Sequence, residues 1–133
     1  MKRRLFILML IGVFAFSITA CGSESSNTQE AATVKIDKTV DSIAAELGLE
    51  NKQEKSPELI GASDGAAYDG NIEIYIYEDT GSESYQKITG DGIDLGITVV
   101  KAAASNDGAI LVYSGEDEPD QDIITKFNSL SFN

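Results

Sequence analysis

Few residues in this chain carry side chains that could do chemistry. Its 133 residues include one cysteine, Cys21, and neither histidine nor tryptophan. Histidine and cysteine supply most protein proton transfer, the Ser-His-Asp and Cys-His nucleophiles, and the usual zinc and copper sites. The composition therefore excludes these classes. What remains open is chemistry built on carboxylates, Tyr, Lys or Ser.

Cys21 follows a segment with the features of a secretory signal peptide. Residues 2–4 are basic, residues 5–16 form an apolar run, and small or polar side chains lead into the cysteine. This order of a charged start, a short apolar stretch and a small-residue exit is typical of a cleaved signal. The apolar run is shorter than the about 20 residues that a transmembrane helix needs.

The four residues Ile18-Thr19-Ala20-Cys21 resemble the lipobox of bacterial lipoproteins, with Ile in the place most often held by Leu. The resemblance implies lipid such as palmitate on the Cys21 sulfur, cleavage between Ala20 and Cys21, and often acylation of the new amino terminus. Two acyl chains give stable anchoring where one does not. We therefore expect a lipid-anchored protein on the extracytoplasmic face of the cell membrane. The alternative, an ordinary signal peptide, leaves a lone free thiol that can form no intramolecular disulfide.

The mature chain is small and strongly acidic. Removal of residues 1–20 leaves 113 residues, enough for one domain. The 7 basic and 22 acidic residues that remain give a net charge of −15. Such a surface repels nucleic acid and anionic headgroups, so we expect no nucleic-acid partner and predict membrane contact through the lipid on Cys21 alone.

The acidic run from residue 116 to residue 122 is a candidate calcium loop. It lacks the Asp-x-Asp-x-Asp-Gly spacing and the later bidentate Glu of an EF-hand. Acids that precede a helix also suit the positive end of its dipole, which explains the run without an ion. No metal and no cofactor is therefore predicted.

Tyr75 and Tyr77 form the other candidate site. The run from Ile72 to Glu78 alternates strictly, which places both tyrosines on the strand face opposite the isoleucines. Exposed tyrosines would suit a face that binds protein or glycan. Alternatively, helices or the tether cover them, or they pair across strands for stability.

The rest of the chain predicts one small domain. Residues 21–36 form a polar tether, and residues 37–133 alternate between helical and strand patterns. Helices are predicted at 38–49, 82–89 and 119–130, and hairpins at residues 66–78 (through Asp69-Gly70-Asn71) and 95–113 (through Ser105-Asn106-Asp107-Gly108), with a central strand at 95–103. The expected fold is α+β, a four-stranded antiparallel sheet from two hairpins with helices mainly on one face.

One stretch also resembles small, uncharacterised lipoproteins of Gram-positive, mainly Firmicutes, bacteria. The matching residues are Ile60-Gly61-Ala62, Gly65 and Ile72-Glu73-Ile74-Tyr75. The resemblance covers about twenty residues and implies no activity. It supports the expected location and fold.

These features favour a non-enzymatic binding module that contacts an envelope protein or a glycan. One alternative is an enzyme accessory or a carboxylate-based hydrolase, which requires a deep pocket enclosing two carboxylates. Another is a small-molecule or cation binder, which requires an enclosed cavity that a core this short can hardly spare.

Overall fold

The computed structural model describes residues 35–116 and 118–133, so Cys21, the residues before it and most of the predicted tether lie outside the described residues. Three α-helices and one 3-10 helix are formed: α1 Val40–Leu47, α2 Glu83–Thr89, α3 Gln121–Asn128 and the 3-10 helix Pro57–Ile60. All three predicted helices are confirmed. None of the helices in the described residues is long and apolar enough to cross a membrane.

The helices begin where polar side chains can cap them. The Thr39 hydroxyl accepts from the amide of Ser42, the Ser82 hydroxyl accepts from the amide of Tyr85, and Asp120 accepts from the first amides of α3. Each cap satisfies an amide that has no partner within the helix. Gly48 ends α1 in the left-handed conformation that glycine adopts without strain.

The strands form one main sheet and two small ones. The strands are β1 Lys35–Ile36, β2 Gln53–Glu54, β3 Asp64–Tyr68, β4 Ile72–Ile76, β5 Ile93–Asp94, β6 Val99–Val100, β7 Ala104–Asn106, β8 Ala109–Tyr113 and β9 Ser131–Phe132. The main sheet is antiparallel with the order β2-β3-β4-β8-β7. It contains two hairpins, as predicted: β3–β4 and β7–β8. The second has its turn at the predicted position, but its first strand is Ala104–Asn106 and not 95–103, and β2 adds a fifth strand at the edge.

The two hairpin turns have the backbone geometry that their residues favour. Asp107 and Gly108 connect β7 to β8 with φ angles of 47° and 85°. Asp69 and Gly70, between β3 and β4, have φ angles of 51° and 87°. Two successive residues with positive φ match the right-handed twist of the flanking strands, which explains why Asp-Gly occurs at both turns.

The predicted central strand at 95–103 is wrong. β5 and β6 instead form a separate two-stranded hairpin, and the run from Leu95 to Thr98 is its tip. The side chain of Asp94 accepts from the Gly96 amide at 2.7 Å, and Gly96 has a φ of 86°. The Asp94 side chain caps the turn, and Gly96 adopts the left-handed conformation that the turn requires. Together they reverse the chain at a point where the apolar pattern alone predicts that the strand continues.

Apolar clusters cover both faces of the main sheet, which corrects the expected arrangement of helices mainly on one face. On one face, α1 and α3 pack against the isoleucines of β4 and the alternate residues of β8. On the other face, α2 and the 3-10 helix pack against Tyr75, Tyr77, Ile110 and Val112. The sheet is therefore the central layer of three.

The two ends of the described domain lie side by side. β1 pairs with β9 in parallel, and Ile36 and Phe132 pack against the α1–α3 side of the core. Lys35 and Ile36, which the sequence pattern assigns to the end of the tether, thus belong to the folded domain. Lys35, the first described residue, thus lies beside Ser131 of the last strand.

Candidate functional site

The most unusual side chain of the described core is Glu73, the one buried charged residue of that core. It occupies the second position of β4 on the same face as Tyr75 and Tyr77. Its neighbours across the sheet are Ala67 on β3 and Val112 on β8. Both of these neighbours are buried apolar residues.

Two residues compensate the buried carboxylate. The Tyr75 hydroxyl donates to Glu73 Oε2 at 2.5 Å, and the Lys55 ammonium lies 2.8 Å from Glu73 Oε1. Each carboxylate oxygen therefore has its own donor, and one of the donors carries the opposite charge. Charge-assisted hydrogen bonds of this kind are stronger than neutral ones.

Lys55 and Glu73 differ in their exposure to solvent. The Glu73 side chain is 7% exposed, whereas the Lys55 side chain, which follows the edge strand β2, is 38% exposed. The Lys55 side chain thus extends from the protein surface inward to the buried Glu73 carboxylate. A lysine stem is flexible and a free ammonium is strongly hydrated, so Lys55 is the member of the pair that solvent would accommodate if the contact opened.

These contacts set the protonation states of the site. Burial alone raises the pKa of a carboxyl group, but the hydrogen bonds from Lys55 and Tyr75 and the lysine charge outweigh it and hold the pKa of Glu73 below its usual range. Burial, followed by the Glu73 carboxylate, raises the pKa of the Tyr75 hydroxyl. At neutral pH, Glu73 is therefore ionised and Tyr75 is a neutral donor.

Both tyrosines of the predicted interaction face are buried, so the exposed-face alternative is corrected. Tyr75 donates to Glu73, while Tyr77 donates to the carbonyl of Ile60 at 2.8 Å and packs edge-on against Tyr85 with ring centroids 5.5 Å apart. Burial raises the pKa of Tyr77 to about 12. The second layer formed by α2 and the 3-10 helix is what covers them.

A cavity of about 340 Å³ lies above Glu73, between the sheet, the 3-10 helix and the β5–β6 hairpin. Its walls are polar and apolar in about equal parts: Leu59, Leu95, Val99 and Val112 supply apolar surface, and polar groups come from Lys55, Glu73 and Tyr75 and from the side chains of Ser56, Thr98, Tyr113 and Ser114. The lining residues that carry the argument are Lys55, Leu59, Glu73, Tyr75, Val99 and Val112. A volume of this size falls within the roughly 300–1,000 Å³ of small-molecule sites.

Large apolar side chains surround the cavity and face solvent. Leu59, Leu95 and Val99 line it and are exposed, and Ile97 at the hairpin tip is 97% exposed. Single exposed apolar residues are ordinary, but Leu59, Leu95 and Val99 lie together at the edge of one cavity. The reversal of the chain at Gly96 is what places Leu95 and Val99 there.

The acidic run near α3 does not form an ion site among the described residues. Asp120 Oδ1 accepts from the amides of Asp122 and Ile123 at 2.9 and 3.4 Å, so this carboxylate is the cap of α3. Within residues 35–116 and 118–133, His, Cys, Asp and Glu form no group of three that could hold a metal. Asp117, the second residue of the run, lies outside the described residues.

A second Lys–carboxylate–Tyr contact on the other side of the sheet provides a comparison. The Tyr68 hydroxyl donates to Asp41 at 2.8 Å, and Lys52 lies 2.8 Å from the same Asp41 oxygen. The Asp41 side chain is 69% exposed. The chemistry is similar, but the carboxylate is hydrated, so only the Glu73 group combines burial with a cavity.

Sequence reasoning missed Glu73 and Lys55. Strict alternation in β4 predicts Glu73 on a solvent-facing side, yet its partner strand β8 is apolar on both faces, from Ala109 to Val112. A neighbouring strand that is apolar on both faces indicates that both faces of the sheet are covered at this point, and this was the available signal. No comparable signal exists for Lys55, because its contact depends on the placement of a two-residue edge strand.

Comparisons of the chain with protein-family models, with curated proteins and with solved structures give no significant match.

Proposed function

We propose that this protein is a lipid-anchored, extracytoplasmic binding module of the cell envelope, and that the cavity above Glu73 is its binding site. The observation that carries the proposal is a buried, ion-paired carboxylate at the floor of a cavity whose rim includes the exposed side chains of Leu59, Leu95 and Val99. A folded domain of this size that leaves such a cavity open keeps apolar surface available for a partner.

The lipobox-like residues 18–21 support the location. The only cysteine of the chain stands where lipid would be attached, and the chain between it and Lys35 is polar. These 13 residues can extend to about 43–47 Å. A mature chain with net charge −15 can thus remain near a membrane that would otherwise repel it, with the lipid on Cys21 as its attachment.

A binding role agrees better with the site than carboxylate-based hydrolysis does. Paired-carboxylate hydrolysis requires a second acid facing the same space, and Glu73 is the one carboxylate among the described residues that line the cavity. The lowered pKa of Glu73 also suits an ionised binding group rather than a proton donor. The size of the cavity favours a small molecule, or a single side chain of an envelope protein or glycan-linked peptide. It favours these over a partner that would bind to a flat face of the sheet.

Blocking the cavity tests the binding role. Val99→Trp places a large side chain at an exposed position of the rim, and Ile97→Trp adds the same side chain on the same hairpin outside the lining. We expect a ligand that co-purifies with the protein from its native cells, detected by mass spectrometry after extraction, to be lost from Val99→Trp and kept by Ile97→Trp. Equal amounts in both variants and the wild type would rule out this cavity as the site.

Substitution of Cys21 tests the anchor separately. Cys21→Ala removes the lipid acceptor, so we expect the protein to move from the membrane fraction to the medium or the soluble fraction. Mass spectrometry of the wild-type amino terminus should show a processed, lipid-modified Cys21. Membrane retention of Cys21→Ala would contradict anchoring through this residue.

A further inference from the structure

We infer that the cavity selects a small organic cation, an ammonium or guanidinium group on an apolar body, which takes the place of the Lys55 ammonium at Glu73. This inference rests on the proposed binding function of the cavity and names the chemical class of its ligand.

The charge of the floor is the first argument. Glu73 is 7% exposed and borders the cavity, so an anion that displaced Lys55 from the carboxylate would leave two like charges facing each other with little solvent to screen them. A cation would instead gain a charge-assisted hydrogen bond to Oε1 while the Tyr75 hydroxyl stays on Oε2. The acidic domain as a whole also raises the local concentration of cations.

Lys55 is the second argument, because it already occupies the place that a ligand cation would take. Its Nζ lies 2.8 Å from Glu73 Oε1, and its stem is partly in solvent. When the ammonium turns outward it regains hydration, so its displacement costs less than that of a buried partner. Lys55 thus keeps Glu73 compensated while the site is empty and competes with any external cation.

The cavity walls are the third argument. Leu59, Leu95, Val99 and Val112 line the space above the ion pair, so a bare metal or ammonium ion would leave them in contact with water. A cation with an apolar body removes their surface from water at about 25 cal/mol per Å². The site therefore combines a charged floor with a hydrophobic wall, which suits an amphipathic cation.

Three probes of similar shape and different charge test the inference: benzylammonium, benzyl alcohol and phenylacetate. Isothermal titration uses the protein as cells produce it, in zwitterionic nanodiscs if it fractionates with the membrane, with the heat from empty nanodiscs subtracted. We expect benzylammonium to bind about tenfold or more tightly than benzyl alcohol, as one charge-assisted contact provides, and phenylacetate to bind least.

Variants separate the role of each residue. Glu73→Gln should remove the preference for benzylammonium over benzyl alcohol. Lys55→Met removes the internal competitor and should strengthen benzylammonium binding about fivefold, a change of roughly 1 kcal/mol. Lys52→Met, which breaks the exposed ion pair with Asp41, is the matched control and should change no affinity. Near-ultraviolet circular dichroism of the tyrosines shows whether each variant is folded.

The outcomes distinguish this inference from the proposed function. Equal affinity for the amine and the alcohol, or tighter binding of phenylacetate, would overturn the cation preference while leaving the cavity as a binding site. Unchanged or weaker amine binding by folded Lys55→Met would overturn the competition with Lys55. Absence of binding by all three probes, together with no effect of Val99→Trp on a co-purified ligand, would overturn both.

Discussion

A single side chain, Glu73, explains why the three residues of the site belong together. A buried carboxylate is costly unless it is paired and its remaining lone pairs are satisfied. Lys55 and Tyr75 meet both needs, with one donor on each oxygen. The Glu73 carboxylate also lines the cavity, so the group that requires compensation is the group that a ligand cation could contact.

Removing the Lys55 ammonium should leave the buried Glu73 carboxylate without its opposite charge. We predict that Lys55→Met lowers the free energy of unfolding by about 1–3 kcal/mol, less than for a fully buried pair because Lys55 is partly exposed. Urea unfolding at pH 7, followed by far-ultraviolet circular dichroism, measures the change. Lys52→Met is the control, and a loss as large in that variant would show that general surface charge, not the burial of Glu73, is responsible.

The depressed pKa of Glu73 predicts a definite dependence of stability on pH. A group whose pKa is lower in the folded than in the unfolded state stabilises the fold above the unfolded value, near 4.5, and that contribution is lost as pH falls through the folded value. The destabilisation caused by Glu73→Gln should therefore be largest at pH 6–7 and shrink below about pH 4.

Urea unfolding of wild type and Glu73→Gln between pH 7 and pH 3 provides the measurement. Glu83→Gln is the matched control: Glu83 pairs with Lys87 at 2.6 Å, and that contact lowers its pKa, but its side chain is 81% exposed and solvent screens the pair. A difference for Glu73→Gln that stays constant over this pH range would contradict the assigned ionisation.

At the scale of the elements, local chemistry determines most of what the sequence predicts. The helix caps at Thr39, Ser82 and Asp120 and the Asp-Gly turns use residues within a few positions of each other, so the sequence shows them directly. The β5–β6 hairpin was not predicted because an apolar run suggests a buried strand, while Gly96 and Asp94 define a turn. The location of β2, and with it Lys55, depends on long-range pairing that no local pattern encodes.

The packing of β3 against β4 predicts the effect of one glycine. Gly65 lies opposite Tyr75, and a Cβ at this position would be 2.7 Å from Tyr75 Cε1 and 3.2 Å from Pro57 Cβ. We predict that Gly65→Ala destabilises the fold by about 1–3 kcal/mol, as overpacking commonly does, and displaces the Tyr75 ring. Since that ring carries the donor to Glu73, benzylammonium affinity should fall in the same variant.

Two variants check this explanation by thermal and urea unfolding. Gly81→Ala is the control, because its nearest neighbour is the flexible end of the Asp79 side chain at 3.1 Å. The double variant Gly65→Ala with Tyr75→Ala should be more stable than the sum of the single changes implies, since the second removes the clash. Additive losses would show that Gly65 is required for a reason other than the Tyr75 ring.

The whole molecule combines a two-sided core with a strongly one-signed charge. The central sheet has α1 and α3 on one face and α2 with the 3-10 helix on the other. The apolar cluster beneath α1 and α3 lies on the face away from the cavity, so it does not depend on the site. The described ion pairs involve Lys38, Lys52, Lys55 and Lys87, whereas the mature chain carries 22 acidic residues. Most carboxylates therefore repel one another without a nearby cation, which favours solubility at the expense of compactness.

This imbalance predicts that salt stabilises the protein. In dilute buffer the repulsion among carboxylates extends over the domain, while at 0.1 M ionic strength the Debye length falls to about 10 Å. We predict that raising NaCl from about 10 to 300 mM at pH 7 increases the melting temperature by several degrees, because the relieved repulsion exceeds the weakening of the few exposed ion pairs. Differential scanning calorimetry measures the shift.

At about pH 4, where carboxylates begin to protonate, the same addition of salt should raise the melting temperature less. A melting temperature that falls with salt at pH 7 would mean that attractive pairs, not net charge, dominate the electrostatics of the fold.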